Sequence, residues 1–177
     1  AIVDVIARCD EAFLVDNSIV KGAMNLIDSE RAELLYARMG PAIEASGGSA
    51  GNTAAGIASF GGAVAYIGRV ADDHLGRVYA HDIRAQGVAF ESRPLSGGAP
   101  TARSMIFVTP DGERSMNTYL GASVELGPED VDEARVRAAR ITYFEGYLWD
   151  PPRAKEAILL AAAQAHAAGR EVAMSLS

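Results

Sequence analysis

Between residues 47 and 76 the chain places glycines in pairs, Gly47-Gly48 and Gly61-Gly62, then singly at Gly68 and Gly76, and the stretch between the pairs is mostly small residues. Glycine costs stability inside regular structure and is economical only where φ is positive or another group must approach the main chain. The pairs therefore punctuate a helix from Ala50 to Phe60, whose alanines let it lie close against a sheet. A helix N-terminus carries unpaired N–H groups, and Ser49 and Asn52 add short hydrogen-bonding side chains beside them. Such a turn can hold a hydroxyl or a phosphate. The same residues also fit a flexible loop before a closely packed helix, and glycine content alone leaves both readings open.

The flanking segments alternate in period. Ile2-Val3-Asp4-Val5-Ile6-Ala7 reads as a strand buried on both faces. Asp4 is the anomaly, because an unpaired buried carboxylate is expensive. It is paired, faces a ligand at the strand's end, or caps the strand at the surface. Phe13–Val15 and Ser18–Met24 read as a hairpin about Asp16-Asn17. A helix follows from Ser29 to Met39, capped by Asp28 or Ser29, with Leu34, Leu35 and Met39 on one stripe and Gly40-Pro41 as its stop. Ile43 to Ser46 leads into the glycine turn.

Past that turn, Ala63–Arg69 and Val88–Glu91 read as strands around a helix from Asp72-Asp73 to Gln86, with Leu75, Val78, Tyr79 and Ile83 inward. Thr101–Val108 and Arg114–Tyr119 flank Asp111-Gly112, a strong hairpin signal. Pro128 opens a helix to about Arg140; Ile141–Glu145 and Glu171–Leu176 are strands around an alanine-rich helix from Pro152 to Ala168. This rhythm predicts a doubly wound, mostly parallel α/β sheet covered on both faces. The β-excursions at about residues 11–26 and 99–120 are polar and short. They are expected to form a small sheet over the carboxyl ends of the main strands, where ligands of such folds sit.

Composition narrows the class. The chain has 177 residues, 49% hydrophobic and 22% charged, as in a globular domain with a core of its own. No apolar run approaches the roughly 20 residues needed to span a bilayer, and no signal segment opens the chain, so no membrane role and a cytoplasmic location are expected. A net charge of −7 disfavours nucleic acid as a partner. Cys9 is the sole cysteine, which excludes an internal disulfide, and the three histidines are scattered.

Two nucleotide motifs fail. Gly51 to Gly56 has the spacing of a P-loop, but Ile57-Ala58 follows where lysine and a hydroxyl residue are needed. The glycines also stand too far from the first strand, in the wrong spacing, for a dinucleotide fingerprint, which leaves a Rossmann-type dehydrogenase as a weak alternative.

Gly47-Gly48-Ser-Ala-Gly-Asn52, then Gly61-Gly62, then Gly68-Arg-Val-Ala-Asp72-Asp73-His-Leu-Gly76 resembles the first signature of the PfkB family, the ribokinase-like carbohydrate and nucleoside kinases. The similarity runs from the Asp4 strand through Pro100-Thr101 and Gly121-Ala122 to Ser175-Leu-Ser177. The segment between Asp4 and Gly47 is similar to the adenosine-kinase-like branch. The resemblance implies a ribokinase-like three-layer α/β/α domain with a β-lid, the whole of residues 1–177 being its N-terminal part. It implies transfer of the γ-phosphoryl group of ATP, with Mg2+ and with a monovalent cation as a further candidate cofactor, to a primary hydroxyl of a sugar or nucleoside. ATP and Mg2+ are expected mainly through a C-terminal half.

By the same resemblance, Asp4 binds two acceptor hydroxyls, Gly47 and Gly48 are the hinge of the closing lid, Asn52 hydrogen-bonds the acceptor and Ser49 sits among its contacts. Arg114 is either the lid arginine that approaches the transferred phosphate or a solvated arginine beside a turn. Thr101 is either a lid contact or packing; Tyr119 either stacks on an acceptor ring or belongs to the lid core. The family's second signature, Gly-Ala-Gly-Asp with its catalytic aspartate, does not occur. No catalytic residue is therefore assigned in this chain, which is expected to bind acceptor weakly and turn over nothing by itself. A sheet that opens and closes on buried strands also points to part of a longer protein. The alternative is a non-catalytic module that forms a homodimer through exposed lid strands.

Overall fold

The computed structural model describes residues 1–176; Ser177, the end of the resembling stretch, lies outside the described residues. The elements follow as β1 (Ile2–Arg8), α1 (Glu11–Asp16), β2 (Met24–Leu26), α2 (Ser29–Arg38), β3 (Ala42–Gly47), α3 (Ser49–Ser59), α4 (His74–Ala85), β4 (Ala102–Val108), β5 (Arg114–Tyr119), α5 (Glu133–Ala138), β6 (Ile141–Glu145), α6 (Pro152–Ala167) and β7 (Glu171–Ser175). One sheet has the order β2-β5-β4-β1-β3, and β6 pairs with β7 in a second. The first is mixed: β1 runs parallel to β4 and antiparallel to β3, β5 is antiparallel to β4, and β2 is parallel to β5. The second pair is parallel.

The α/β fold is as expected, but its strands are shared out differently. The pattern assigns β1 to the main sheet and β4–β5 to a separate excursion, whereas β4 is central, almost wholly buried, and paired with β1 from Ile2↔Ala102 to Arg8↔Val108. The polar residues that make β4 look peripheral find partners in place, although Arg103 Nε is buried without one among the described residues. Ser104 Oγ and Thr118 Oγ1 share a hydrogen bond of 2.8 Å, and Arg103 pairs with Glu33 of α2. β1 is not buried on both faces: Val3, Val5 and Ala7 are buried, while Ile2, Asp4 and Ile6 are only half-buried.

The hairpin expected over residues 13–24 is absent. Asp10 caps a helix instead, its carboxylate accepting from Phe13 N–H at 2.8 Å, and Asn17 closes the other end by donating its side-chain amide to Phe13 O at 2.9 Å. Phe13 stacks at a tilt on Phe107 of β4, 4.9 Å between centroids. Residues 43–46 belong to a strand, β3. Residues 63–69 and 88–91 do not form strands; a single parallel bridge, Ala65↔Ala89, joins them. The helix expected from Pro128 is a 3₁₀ turn at Pro128–Asp130 followed by the short α5, which Asp132 caps.

Residues paired across strands share a face, so Val3, Val5, Met105 and Phe107 lie on one side of the five-stranded sheet. That side is the core. Val3 and Val5 pack with Leu75, Tyr79 and Ile83 of α4, and with Val88 and Phe90. Met105 and Phe107 pack with Leu14, Ile19, Ala32 and Leu35. Each fully buried large side chain is worth about 1.5–3 kcal/mol of transfer free energy. The opposite side carries Ile2, Asp4, Ile6, Ser104, Met116, Thr118, Met24, Leu26 and Gly47, and of these Met24 and Leu26 are 50% and 62% exposed.

Candidate functional site

Asp4 sits on that open side, one register step from Gly47, which pairs with Ile2. A Cβ at Gly47 would lie 2.2 Å from Asp4 Cγ and within 2.4 Å of both carboxylate oxygens. Glycine at 47 is thus the condition for the carboxylate to rest on the β3 main chain. Burial pushes the Asp4 carboxyl up from its ordinary pKa, and the Arg114 charge partly opposes this. Among the described residues no hydrogen-bond donor reaches this carboxylate. It is a half-buried acceptor short of donors, a state that two O–H donors would relieve.

The chain then turns. Gly48 takes φ +77°, in the region that favours glycine, and serves as the N-cap of α3 without any side-chain cap. Ser49 and Asn52 are three residues apart, hence neighbours on the first turn of α3. Asn52 is exposed, and its backbone N–H donates to Gly48 O at 2.9 Å. Ser49 Oγ donates to Glu145 Oε1 at 2.8 Å, and Tyr143 OH donates to the same oxygen at 3.3 Å. The structure therefore brings together Asp4, Gly47, Gly48, Ser49 and Asn52, and adds Glu145 and Tyr143 from the carboxyl end of β6. Sequence reasoning passed over these two, although an acid at the carboxyl end of a strand in an α/β fold is itself a signal.

Arg114 lies at the start of β5, exposed, on the Asp4 side of the sheet, and its charge is felt at Asp4. Thr101 and Tyr119 lie elsewhere. Tyr119 has the opposite parity on β5 and packs against the cluster of Leu14, Leu35, Met105 and Phe107. Its ring faces the helices, away from Asp4.

Thr101 is completely buried and fully engaged. Its Oγ1 accepts from Ala71 N–H at 2.9 Å and donates to Asp73 Oδ1 at 2.7 Å, while its N–H donates to Asp73 Oδ2 at 2.8 Å. Asp73 also caps α4 by accepting from Gly76 N–H at 2.7 Å. The second half of the glycine motif is thus a fastening between α4 and the start of β4.

A recess of about 320 Å3, lined by Tyr66, Arg69, Glu91, Arg93, Glu129 and Arg135 among others, lies apart from Asp4. Two of its three arginines are already paired: Arg69 with Glu129 and Asp130, and Arg135 with Glu91 and Asp132. Among the described residues no three His, Cys, Asp or Glu side chains gather as a possible metal ligand set, so none is assigned to Mg2+.

Comparison with known proteins identifies the family and the fold. Residues 38–177 match the model of the pfkB family carbohydrate kinases. Over 133 residues the chain is 30% identical to fructokinase-2 of Zea mays, covering 73% of this chain and 40% of the relative. Among solved structures, the adenosine kinase of Sinorhizobium meliloti superposes with a TM-score of 0.91 at 72% identity, and a probable sugar kinase of Rhizobium etli CFN 42 with 0.92 at 69%. Both superpositions cover 100% of this chain and 54% of the other, so the chain spans about half the length of these structures. With the family model matching well over half of its length and the fold shared from end to end, the chain belongs to the pfkB family of carbohydrate kinases.

Proposed function

We propose that this chain is the acceptor-binding half of a kinase that moves the γ-phosphoryl group of ATP to a primary hydroxyl of a sugar or nucleoside. The observation that carries the reading is the Asp4 carboxylate, half-buried, without a donor and seated on Gly47. Two adjacent acceptor hydroxyls donating to Asp4 would fix the acceptor, with Asn52 adding a further contact. Fixing the geometry is the main task in phosphoryl transfer, where the protein contributes chiefly positioning and charge stabilisation. Arg114 stands on the same side and supplies positive charge where the transferred phosphate gathers negative charge.

The Asp4 face favours a nucleoside over a bare sugar. Ile2, Met116, Met24 and Leu26 give apolar surface to the sheet face that carries the carboxylate, which suits a base attached to a hydroxyl-bearing ring. The five-stranded sheet, to which the segments at about 11–26 and 99–120 supply β2, β4 and β5, acts as the lid, and Gly48 is its pivot. The catalytic base, and the groups that hold ATP and Mg2+, are expected outside this chain, which holds no Gly-Ala-Gly-Asp sequence. A second reading rests on the same exposed Met24 and Leu26 together with Ile43, 70% exposed: a homodimer through this face. No helix is long and apolar enough to cross a membrane among the described residues.

The test is ATP-dependent phosphorylation of adenosine and of fructose by the full chain, meaning residues 1–177 joined to the C-terminal half proposed to hold ATP, with Asp4→Ala beside it. Two charge-assisted hydrogen bonds at about 1.5 kcal/mol each predict a rise in acceptor KM of about 100-fold. Unchanged KM in the variant, or ATP turnover by residues 1–177 alone, contradicts the assignment.

A further inference from the structure

The acceptor reading leaves Glu145 without a role. α1, α2, α4 and α5 are each capped by an aspartate, Asp10, Asp28, Asp73 and Asp132, through its own side chain. α3 has only Gly48 at its N-cap, so no capping side chain holds its first turn. The hydroxyl of Ser49, the first residue of α3, reaches instead to Glu145 at the end of β6, in the other sheet.

The turn is thus held from two sides. Gly47 is fixed to the five-stranded sheet by pairing with Ile2 and by the Asp4 carboxylate against it. Ser49 is fixed to the β6–β7 sheet by Glu145. Gly48 between them, at φ +77°, is the residue best able to rotate. Tyr143, two residues before Glu145 and so on the same face of β6, donates to the same carboxylate oxygen and restrains its rotamer. The charge of Glu145 also lies at the positive end of the α3 dipole, which favours the same arrangement.

We infer that Glu145 is a positioning residue: acting through Ser49, it holds the Gly47–Gly48 turn in the conformation in which Asp4 and Asn52 address one acceptor. This rests on the acceptor reading above for its consequence in catalysis, though not for the latch itself. Gln at 145 keeps an oxygen that can accept from Ser49, whereas Ala at 145 or at 49 removes the bond.

The experiment uses the full chain with Ser49→Ala, Glu145→Ala, Glu145→Gln and the double alanine variant. It reads amide hydrogen exchange over residues 48–53 without ligand, and KM and kcat for adenosine. Loss of one hydrogen bond of about 1 kcal/mol predicts about five- to tenfold faster exchange in either alanine variant and a similar rise in KM, with kcat within about twofold. The double variant adds nothing to either single, and Glu145→Gln restores wild-type exchange. The proposal is overturned if Ser49→Ala leaves exchange unchanged. It is equally overturned if Glu145→Ala raises KM with exchange unchanged, since the carboxylate would then act on the acceptor directly. Should the wild-type full chain, with its C-terminal half, phosphorylate neither adenosine nor fructose, the acceptor reading fails, while the exchange data still decide the latch. If Glu145→Ala does not fold, Ser49→Ala and Glu145→Gln decide it alone.

Discussion

Asp4 with Gly47 and Asp73 with Gly76 form two corners of the same molecule, and the two carboxylates end in opposite states. At Gly76 a Cβ would meet Ala71 O at 2.1 Å and Thr101 Oγ1 at 3.1 Å; at Gly47 it would meet the Asp4 carboxylate at 2.2 Å. Burial raises both carboxyls. For Asp73, three hydrogen bonds from Thr101 and Gly76, with the Arg103 charge, outweigh burial and leave the pKa lowered. For Asp4 only the Arg114 charge opposes it, and the pKa stays raised. A carboxylate whose lone pairs are filled by the protein builds structure. One left short of donors on an open face is a place for a ligand's hydroxyls.

The sharpest way to break the contrast is to add a methyl group at each glycine. Gly76→Ala drives a Cβ into a backbone carbonyl that cannot move aside, and should cost more than about 3 kcal/mol, read as collapse of the denaturant midpoint or failure to fold. Removing the satisfied acid comes next: Asp73→Ala strands buried donors of Thr101 and should cost about 1–3 kcal/mol in the same measurement. Gly47→Ala displaces a side chain rather than backbone. It should cost about 1–2 kcal/mol while abolishing detectable adenosine binding, so its defect lies in the ligand titration more than in the melt.

The smallest effect has the opposite sign. Asp4→Asn should raise Tm slightly at pH 7, because it removes a charge that burial disfavours. The folded pKa of Asp4 is raised, so its cost is absent below the ordinary value of 3.8 and appears as pH rises through the folded value; the gain from Asn should fade in melts below pH 3.8. Asp73 runs the other way. Its folded pKa is lowered, so it stabilises above 3.8 and that stability is lost as pH falls through the folded value, which makes Asp73→Asn costly at pH 7 and less so in acid. Equal pH slopes for the two variants would erase the contrast.

The elements that rest on local chemistry were legible in the sequence. Asp28, Asp73 and Gly87 mark helix ends, and Asp111-Gly112 marks the β4–β5 turn, because caps and tight turns are decided within four or five residues. Sheet membership was not. Whether β1 joins β4 depends on residues a hundred positions apart, and no local period carries that information. Phe13-Leu14-Val15 is too short for period to separate strand from helix, and the Asp10 cap that decides it was passed over.

Within the candidate site, Gly47 and Gly48 could be named because close approach and positive φ demand glycine, and Asp4 because a carboxylate in an apolar strand is anomalous; the proposed acceptor contacts of Ser49 and Asn52 came from the family resemblance. Tyr119 could have been placed by counting parity from Thr118 once Thr118 was known to face Ser104 and Asp4. That register is a tertiary fact. Glu145 lies 96 residues from the serine it holds, a distance no motif spans.

The central claim is that Asp4 receives acceptor hydroxyls, and a cycle pairing Asp4→Asn with 2′-deoxyadenosine tests it most directly. In the full chain, kcat/KM with ATP should fall at least about tenfold from adenosine to 2′-deoxyadenosine for the wild type, as the loss of one hydrogen bond to a charged group requires. In Asp4→Asn the two nucleosides should differ by less than about twofold. An equal penalty in both proteins would show that the hydroxyl is bound elsewhere and would contradict the account.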